Sequence, residues 1–129
     1  MRLLLDTQAF LWYITSDPKL PQYASDAIRN KSNAVYLSVV SVWEALVKFQ
    51  IGKLPLPSPP DEYLSSRRLA HRIENLDLEL GALSQLLSLP PHHRDPFDRM
   101  LICQARHHEL TFVTTDELLP IYPVAILRP

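Results

Sequence analysis

The chain has 129 residues, of which 47% are hydrophobic and 21% are charged, and its formal net charge is −1 at pH 7. This length and composition predict a single globular domain over residues 1–129 and exclude a disordered chain. The small net charge excludes a surface that is basic throughout, although it allows a local cationic groove.

Several classes of protein are excluded because the chain lacks the residues that they require. It has only two glycines, Gly52 and Gly81, so neither of the glycine-rich nucleotide-binding motifs can be written in it. Its single cysteine, Cys103, cannot form an internal disulfide, and its apolar neighbours predict a core position. No apolar stretch approaches the roughly 18 residues that span a bilayer, and no signal peptide is visible. We therefore expect a cytoplasmic protein.

Short apolar runs alternate with amphipathic segments along the whole chain. The first half predicts, in order, a strand at 3–5, a helix through Phe10, Leu11 and Ile14, a helix through Tyr23, Ala27 and Ile28, a strand at 34–37, and a helix from Ser38 to about Gly52. A proline-rich connector at 54–60 is followed by a predicted helix at 61–72, a strand at 73–76 and a helix at 79–87. The next helix is opened by 92–98 and runs to about His108. A strand at 110–114, a helix start at 115–117 and a fifth strand at 124–127 complete the prediction. This alternation indicates an α/β fold with a central parallel sheet of four to five strands, covered on both faces.

Four acidic residues follow a predicted strand or begin a predicted helix: Asp6, Glu44, Asp98 and Asp116. Each also has a structural explanation, because acidic residues are common at helix starts. Asp6 fits a helix cap, Ser41 and Glu44 have the spacing of a capping box, and so have Thr114 and Glu117 around Asp116. Taken one at a time, these four positions leave capping and function both open.

The pair Asp95 and Asp98 separates the two roles. Pro96 is favoured at the first position of a helix, which makes Asp95 the N-cap and places Asp98 on the third helical residue. Because Asp95 already caps the helix, we interpret Asp95 as structural and Asp98 as functional. A carboxylate at the position of Asp98 also suits the helix dipole.

The four acidic residues are expected to converge, because the carboxyl ends of parallel strands share one edge of the sheet. Ionised carboxylates about 5 Å apart repel by roughly 3 kcal/mol per pair at an effective dielectric constant near 20. Such a cluster needs protons or a cation, and oxygen ligands favour Mg²⁺ or Mn²⁺. This is the chemistry of metal-assisted phosphodiester hydrolysis.

The histidines and tryptophans receive structural interpretations. Two pairs of histidines are adjacent in the sequence, at 92–93 and at 107–108, whereas the zinc motif HExxH places its ligands four residues apart on one helical face. We therefore expect partly exposed side chains near helix ends rather than a zinc site. Trp12, Tyr13 and Trp43 lie at helical spacing beside apolar residues and are predicted to be in the core.

Four segments together resemble PIN-domain proteins, specifically the VapC-type toxin ribonucleases of toxin-antitoxin systems. They are Leu3-Leu-Leu-Asp-Thr7, Ser38-Val-Val-Ser-Val-Trp-Glu44, His93-Arg-Asp-Pro-Phe-Asp-Arg-Met-Leu-Ile-Cys-Gln-Ala105 and Thr114-Thr-Asp116. The resemblance implies a three-layer α/β/α sandwich in which the same four acidic residues form the pocket. It also implies metal-dependent cleavage of RNA, a cognate antitoxin that wraps the toxin, a homodimer, and a supporting hydroxyl at Thr114.

The resulting hypothesis is a magnesium-dependent endoribonuclease, with manganese able to substitute. Asp6 and Asp98 chiefly hold the metal, while Glu44 and Asp116 complete the catalytic pocket and orient the attacking water. One alternative is a non-catalytic PIN-like module that binds RNA or a partner. A phospho-acceptor receiver domain is disfavoured because no lysine follows Lys53, and a haloacid-dehalogenase-type phosphatase because Gln8 stands where a second acidic residue or threonine belongs.

Overall fold

The computed structural model describes residues 1–91, 95–116 and 122–129. Its strands are β1 (Arg2–Leu5), β2 (Ala34–Ser38), β3 (Glu74–Leu76) and β4 (Thr111–Val113). Its α-helices are α1 (Thr7–Ile14), α2 (Gln22–Arg29), α3 (Val39–Gln50), α4 (Pro60–Ala70), α5 (Leu80–Ser84) and α6 (Pro96–His107). A 3₁₀ turn at Gln85–Ser88 follows α5 directly.

The four strands form one parallel sheet in the order β3-β2-β1-β4. The chain moves outward from β1 through β2 to β3, and then returns to add β4 on the other side of β1. The direction of winding therefore reverses between β1 and β4. In open α/β sheets, ligands bind at the carboxyl ends of the strands beside such a reversal.

Helices cover both faces of the sheet. Successive side chains of β1 point to opposite faces, so Leu3 and Leu5 belong to one hydrophobic cluster and Leu4 to the other. The first cluster joins the sheet to α1, α2 and α4, and the second joins it to α6. The predicted three-layer α/β/α sandwich is confirmed, and Cys103 is fully buried in the second cluster, as its neighbours predict.

Helix starts follow the capping residues of the sequence. Asp6 caps α1, Ser38 caps α3 through a bond from the Val40 N–H, and Asp95 caps α6 with Pro96 at the first position. The predicted division between Asp95 as cap and Asp98 as third helical residue is therefore what the structure shows.

Several helices end on a residue with left-handed backbone geometry. Gly52 supplies it after α3 with φ of 75°, whereas Ser16, Arg72 and Glu109 adopt φ values of 53°, 56° and 55° after α1, α4 and α6. In each case the next N–H bonds to a carbonyl five residues earlier, as Leu110 does to Ala105 at 2.8 Å.

The end of the chain differs from the prediction. Residues 124–127 do not form a fifth strand, and only an isolated bridge joins Phe112 to Ile126. The Val124 N–H bonds back to the Tyr122 carbonyl, so little extended chain remains to pair with β4. The helix start predicted at 115–117 lies partly outside the described residues. In the described part of the chain, no helix is long and apolar enough to cross a membrane.

Candidate functional site

Asp6 lies where β1 ends, at the reversal of the sheet. Its backbone N–H donates to the Val113 carbonyl of β4, and its Oδ1 accepts from the Ala9 N–H at 2.6 Å. The pKa of Asp6 is raised to about 6, chiefly by burial and also by the negative charges of Glu44 and Asp116, while hydrogen bonds from Thr114 and Ala9 act to lower it. Asp6 is therefore a helix cap and also a buried carboxylate beside two others.

Glu44 lies in the second turn of α3, which begins after Ser38. The capping-box interpretation of Ser41 and Glu44 is therefore wrong, because both residues are inside the helix and Ser38 is its cap. Both side chains are buried. Glu44 Oε1 accepts a hydrogen bond of 2.6 Å from Thr7 Oγ1, which also lies 2.9 Å from Ser41 Oγ. These contacts hold the Glu44 carboxylate against the start of α1.

Lys48 follows Glu44 by one helical turn and supplies the second contact of its carboxylate. Lys48 Nζ donates to Glu44 Oε2 at 2.5 Å, and the Lys48 side chain is 46% exposed. Burial acts to lower the pKa of Lys48, but the hydrogen bond to Glu44 and the charges of Glu44, Asp95 and Asp98 outweigh it and raise the pKa above its usual value. A permanent cation therefore stands among the carboxylates.

Asp98 and Asp95 approach from the start of α6. Asp95 Oδ1 accepts from the backbone N–H groups of Phe97 at 2.9 Å and Asp98 at 3.2 Å. Asp98 is half-buried and faces the same cleft as Asp6. Asp95 is thus the helix cap, as predicted, but both aspartates line the cleft, so a separate functional role for Asp98 stays a prediction.

Asp116 follows β4 and is tied to Asp6 through Thr114. The Thr114 hydroxyl accepts from the Asp116 N–H at 3.0 Å, and the Thr114 side chain hydrogen-bonds the Asp6 carboxylate. Thr114 is buried, so one hydroxyl group fixes the relative positions of the loops after β1 and β4.

The predicted acidic residues meet in one cleft of about 230 Å³ at the carboxyl edge of the sheet. Its lining consists of Asp6, Thr7, Gln8, Glu44, Lys48, Asp95, Asp98, Thr115 and Asp116. Sequence reasoning missed Thr7 and Lys48 as parts of this cleft. The sequence position of each residue could have indicated its place in the cleft. Thr7 directly follows Asp6, and Lys48 lies four residues after Glu44 on the same helical face.

The donor set of the cleft fits a hard divalent cation. The acidic side chains offer only oxygen atoms, and the raised pKa of Asp6 shows that burial and neighbouring charge oppose its ionisation. Among the described residues, no three carboxylates of the cleft bring an oxygen each within 4.8 Å of one another. A hard divalent cation that keeps several waters needs only one or two carboxylates, so it does not require three converging ligands.

Trp43 departs from its predicted core position. It is 53% exposed on α3 and contacts Phe97 of α6 edge to face, with ring centroids 4.7 Å apart. The buried residues of α3 are Val40, Ser41, Glu44 and Ala45, because this helix turns its partly polar face toward the cleft and α1. Trp12 and Tyr13 are partly buried against the core, as predicted.

A family comparison agrees with this architecture. A sequence model of the family described as PIN domain matches residues 3–123. The chain belongs to the PIN domain family. The match includes all five acidic residues that line the cleft.

Individual relatives are consistent with the family assignment. The chain is 33% identical over 54 residues to Ribonuclease VapC16 of Mycobacterium tuberculosis, a match that covers 36% of this chain and 38% of that protein. It is similar in fold to a chain of VapBC2 from Rickettsia felis bound to a promoter DNA fragment, with a TM-score of 0.71, 17% identity and coverage of 99% and 98% of the two chains. A chain of the DNA-bound VapBC from Salmonella typhimurium gives a TM-score of 0.69 with 18% identity, over 99% and 97%.

Proposed function

We propose that this PIN-domain protein is a magnesium-dependent endoribonuclease and the toxin of a toxin-antitoxin pair. The observation that carries the proposal is the meeting of Asp6, Glu44, Asp98 and Asp116 in one cleft at the reversal of a parallel sheet. The relatives named Ribonuclease VapC16 and VapBC support the same reading.

In this proposal, Asp6 and Asp98 are the residues that hold the metal. Asp6 directly follows β1, Asp98 lies in the first turn of α6, and both line the cleft. Mg²⁺ bound there would supply a Lewis acid that activates water and neutralises the charge of the phosphodiester. At pH 7, a carboxyl group with a pKa of about 6 is mostly ionised, so Asp6 is ready to receive a cation.

Glu44 and Asp116 would complete the pocket and orient the attacking water by accepting its hydrogen bonds. Glu44 is fixed by Thr7 and Lys48, and Asp116 is fixed through its backbone by Thr114. Because these contacts hold the acceptors before substrate arrives, the pocket does not have to assemble during the reaction. Lys48 offsets part of the negative charge that an RNA phosphate meets on entry.

The partners follow from the same proposal. Single-stranded or structured RNA in the cytoplasm is the substrate, a cognate antitoxin is the inhibitor, and the toxin forms a homodimer. A pull-down of this chain with the product of the neighbouring reading frame tests the antitoxin. Size-exclusion chromatography with light scattering tests the dimer.

The decisive experiment is an RNA cleavage assay on protein stripped with EDTA, with one metal restored at a time. Magnesium and manganese are expected to restore cleavage, whereas calcium, which is larger, is expected to bind but to support little turnover. Undiminished cleavage in EDTA would overturn the metal mechanism. RNA binding without cleavage under every metal would favour the alternative, a non-catalytic PIN-like module.

A further inference from the structure

A second cluster of potential metal ligands lies away from the acidic cleft, where α6 ends. His107 is the last residue of α6, His108 is its C-cap, and Glu79 directly precedes α5. One ligand atom from each of the three residues lies within 4.8 Å of the others. His107 Nε2 and Glu79 Oε2 are 3.4 Å apart. In a tetrahedral site with bonds of about 2.1 Å, two ligand atoms are also about 3.4 Å apart.

His108 has a ring nitrogen that the protein does not satisfy. Its Nε2 is buried, and no hydrogen-bond partner for it exists in the described part of the chain. A buried polar atom without a hydrogen-bond partner is unfavourable, because it has lost its contacts with water and gained none in the protein. Its ring centroid is 4.8 Å from that of His107, and Arg2 donates to the His108 carbonyl oxygen at 3.0 Å, which fixes the backbone of this residue. His108 therefore offers a positioned imidazole with a free nitrogen.

Gly81 provides the space for the His107 ring. A Cβ atom at Gly81 would lie 2.3 Å from Cε1 and 2.8 Å from Nε2 of His107, which is too close for a real contact. The backbone of Gly81 is not left-handed, so its conformation does not require glycine. Glycine inside a helix is less favourable than alanine, yet α5 has a glycine at the position where the His107 imidazole packs. The close approach of α5 to His107 thus depends on this residue.

We propose that Glu79, His107 and His108 form a second metal site, selective for a transition-metal dication such as Zn²⁺. Two imidazole nitrogens and one carboxylate suit zinc, whereas Mg²⁺ prefers a site of oxygens alone. The carboxyl end of a helix carries partial negative charge, which also favours a cation at this place. Zinc bound here links the start of α5 to the end of α6, and a water molecule fills the fourth position.

The test is a titration of the whole chain, free of any histidine tag, with Zn²⁺ in the presence of excess Mg²⁺ that saturates the acidic cleft. Isothermal titration calorimetry gives the stoichiometry and affinity, and Co²⁺ reports the coordination through its visible absorption. We expect about one equivalent of zinc. Each of Glu79→Gln, His107→Ala and His108→Ala should weaken binding by about tenfold or more.

Two further kinds of variant make the result specific. Gly81→Ala keeps all three ligands but displaces the His107 ring, and it should also weaken zinc binding. His71→Ala removes a histidine that packs on Tyr13 elsewhere, and Asp98→Asn alters the acidic cleft, so both should bind zinc as the parent chain does. The proposal is overturned if the parent chain binds no zinc at micromolar concentration, or if Glu79→Gln, which is exposed and should fold, binds it unchanged.

Discussion

Helix α6 carries carboxylates where it begins and imidazoles where it ends. Asp95 and Asp98 lie at the amino end, and His107 and His108 lie at the carboxyl end. The helix dipole favours both arrangements, so the dipole alone does not distinguish a functional end from a structural one. The neighbouring elements distinguish the two ends. Carboxylates that follow β1, lie on α3 or follow β4 surround the amino end of α6, whereas Glu79, which precedes α5, lies near its carboxyl end.

The chemistry of the two ends differs accordingly. Oxygen ligands, a resident lysine and a carboxyl pKa near 6 characterise the amino end. Two imidazoles, one unsatisfied ring nitrogen and a glycine contact characterise the carboxyl end. One helix therefore joins the environment that we propose for magnesium to the environment that we propose for zinc.

The largest expected effect is the loss of RNA cleavage when a proposed metal ligand is neutralised. Asp98→Asn and Asp6→Asn should lower cleavage by at least about 1,000-fold and abolish magnesium binding, while the fold is retained or becomes more stable. Asp95→Asn is the matched control, because asparagine is also a good helix cap. Cleavage assays, calorimetry and thermal unfolding measure these effects. Equal loss of cleavage in all three folded variants would show that the roles of Asp95 and Asp98 are wrongly assigned.

The second prediction concerns the stability of the metal-free protein between pH 4 and pH 6. Asp6 has a pKa of about 6 when folded and 3.8 as a model value, so the folded state binds more protons in this interval. The free energy of unfolding should therefore fall as the pH rises through the interval, by about 2 kcal/mol from this group. Urea unfolding of the metal-free chain at several pH values measures this free energy.

Two further measurements test whether Asp6 causes this pH dependence of stability. Asp6→Asn should remove most of it, because asparagine does not titrate. In the parent chain, magnesium binding near pH 6 should release a proton, which calorimetry in buffers of different ionisation enthalpy detects. A pH dependence of stability between pH 4 and pH 6 that is the same in the parent chain and in Asp6→Asn would contradict the environment described for Asp6.

A smaller effect is expected from a substitution of Lys48, which lies in the acidic cleft. Lys48→Gln removes a positive charge that pairs with Glu44 at 2.5 Å, so Mg²⁺ should bind several-fold more tightly. The metal-free chain should lose about 1 kcal/mol of stability, as expected for a half-exposed ion pair. Lys53→Gln is the control, because Lys53 is exposed beyond the end of α3. Unchanged magnesium affinity in Lys48→Gln would show that the lysine does not compete with the metal.

The parts of the site that could be predicted depend on local rules. Asp95 and Asp98 were separable because proline and aspartate mark a helix start within four residues. The meeting of Asp6 with Asp116 followed from the shared edge of parallel strands. The alternation of apolar runs and amphipathic segments likewise predicts a parallel sheet covered on both faces.

The parts that could not be predicted depend on how helices rotate against their neighbours. Trp43 belongs to an apolar stripe, yet α3 buries Ser41 and Glu44 instead, because its inner face borders the cleft. Thr7 of α1 and Glu44 of α3, which are in contact, are 37 positions apart in the sequence. Likewise, nothing in the spacing of His107 and His108 indicates Glu79, which directly precedes α5.

The smallest expected effect tests how the amino end of α6 is held. Trp43 contacts Phe97, the residue before Asp98, whereas the carboxyl end rests on Gly81. Trp43→Ala removes an aromatic pair at a half-exposed site, so it should lower the free energy of unfolding by about 1 kcal/mol and lower cleavage only slightly. Trp43→Phe should keep most of the contact, and Leu87→Ala, at a residue 95% exposed, should change nothing. Thermal unfolding compares the three variants. A loss in Trp43→Ala no greater than in Leu87→Ala would mean that capping by Asp95 and core packing hold this end without the aromatic contact.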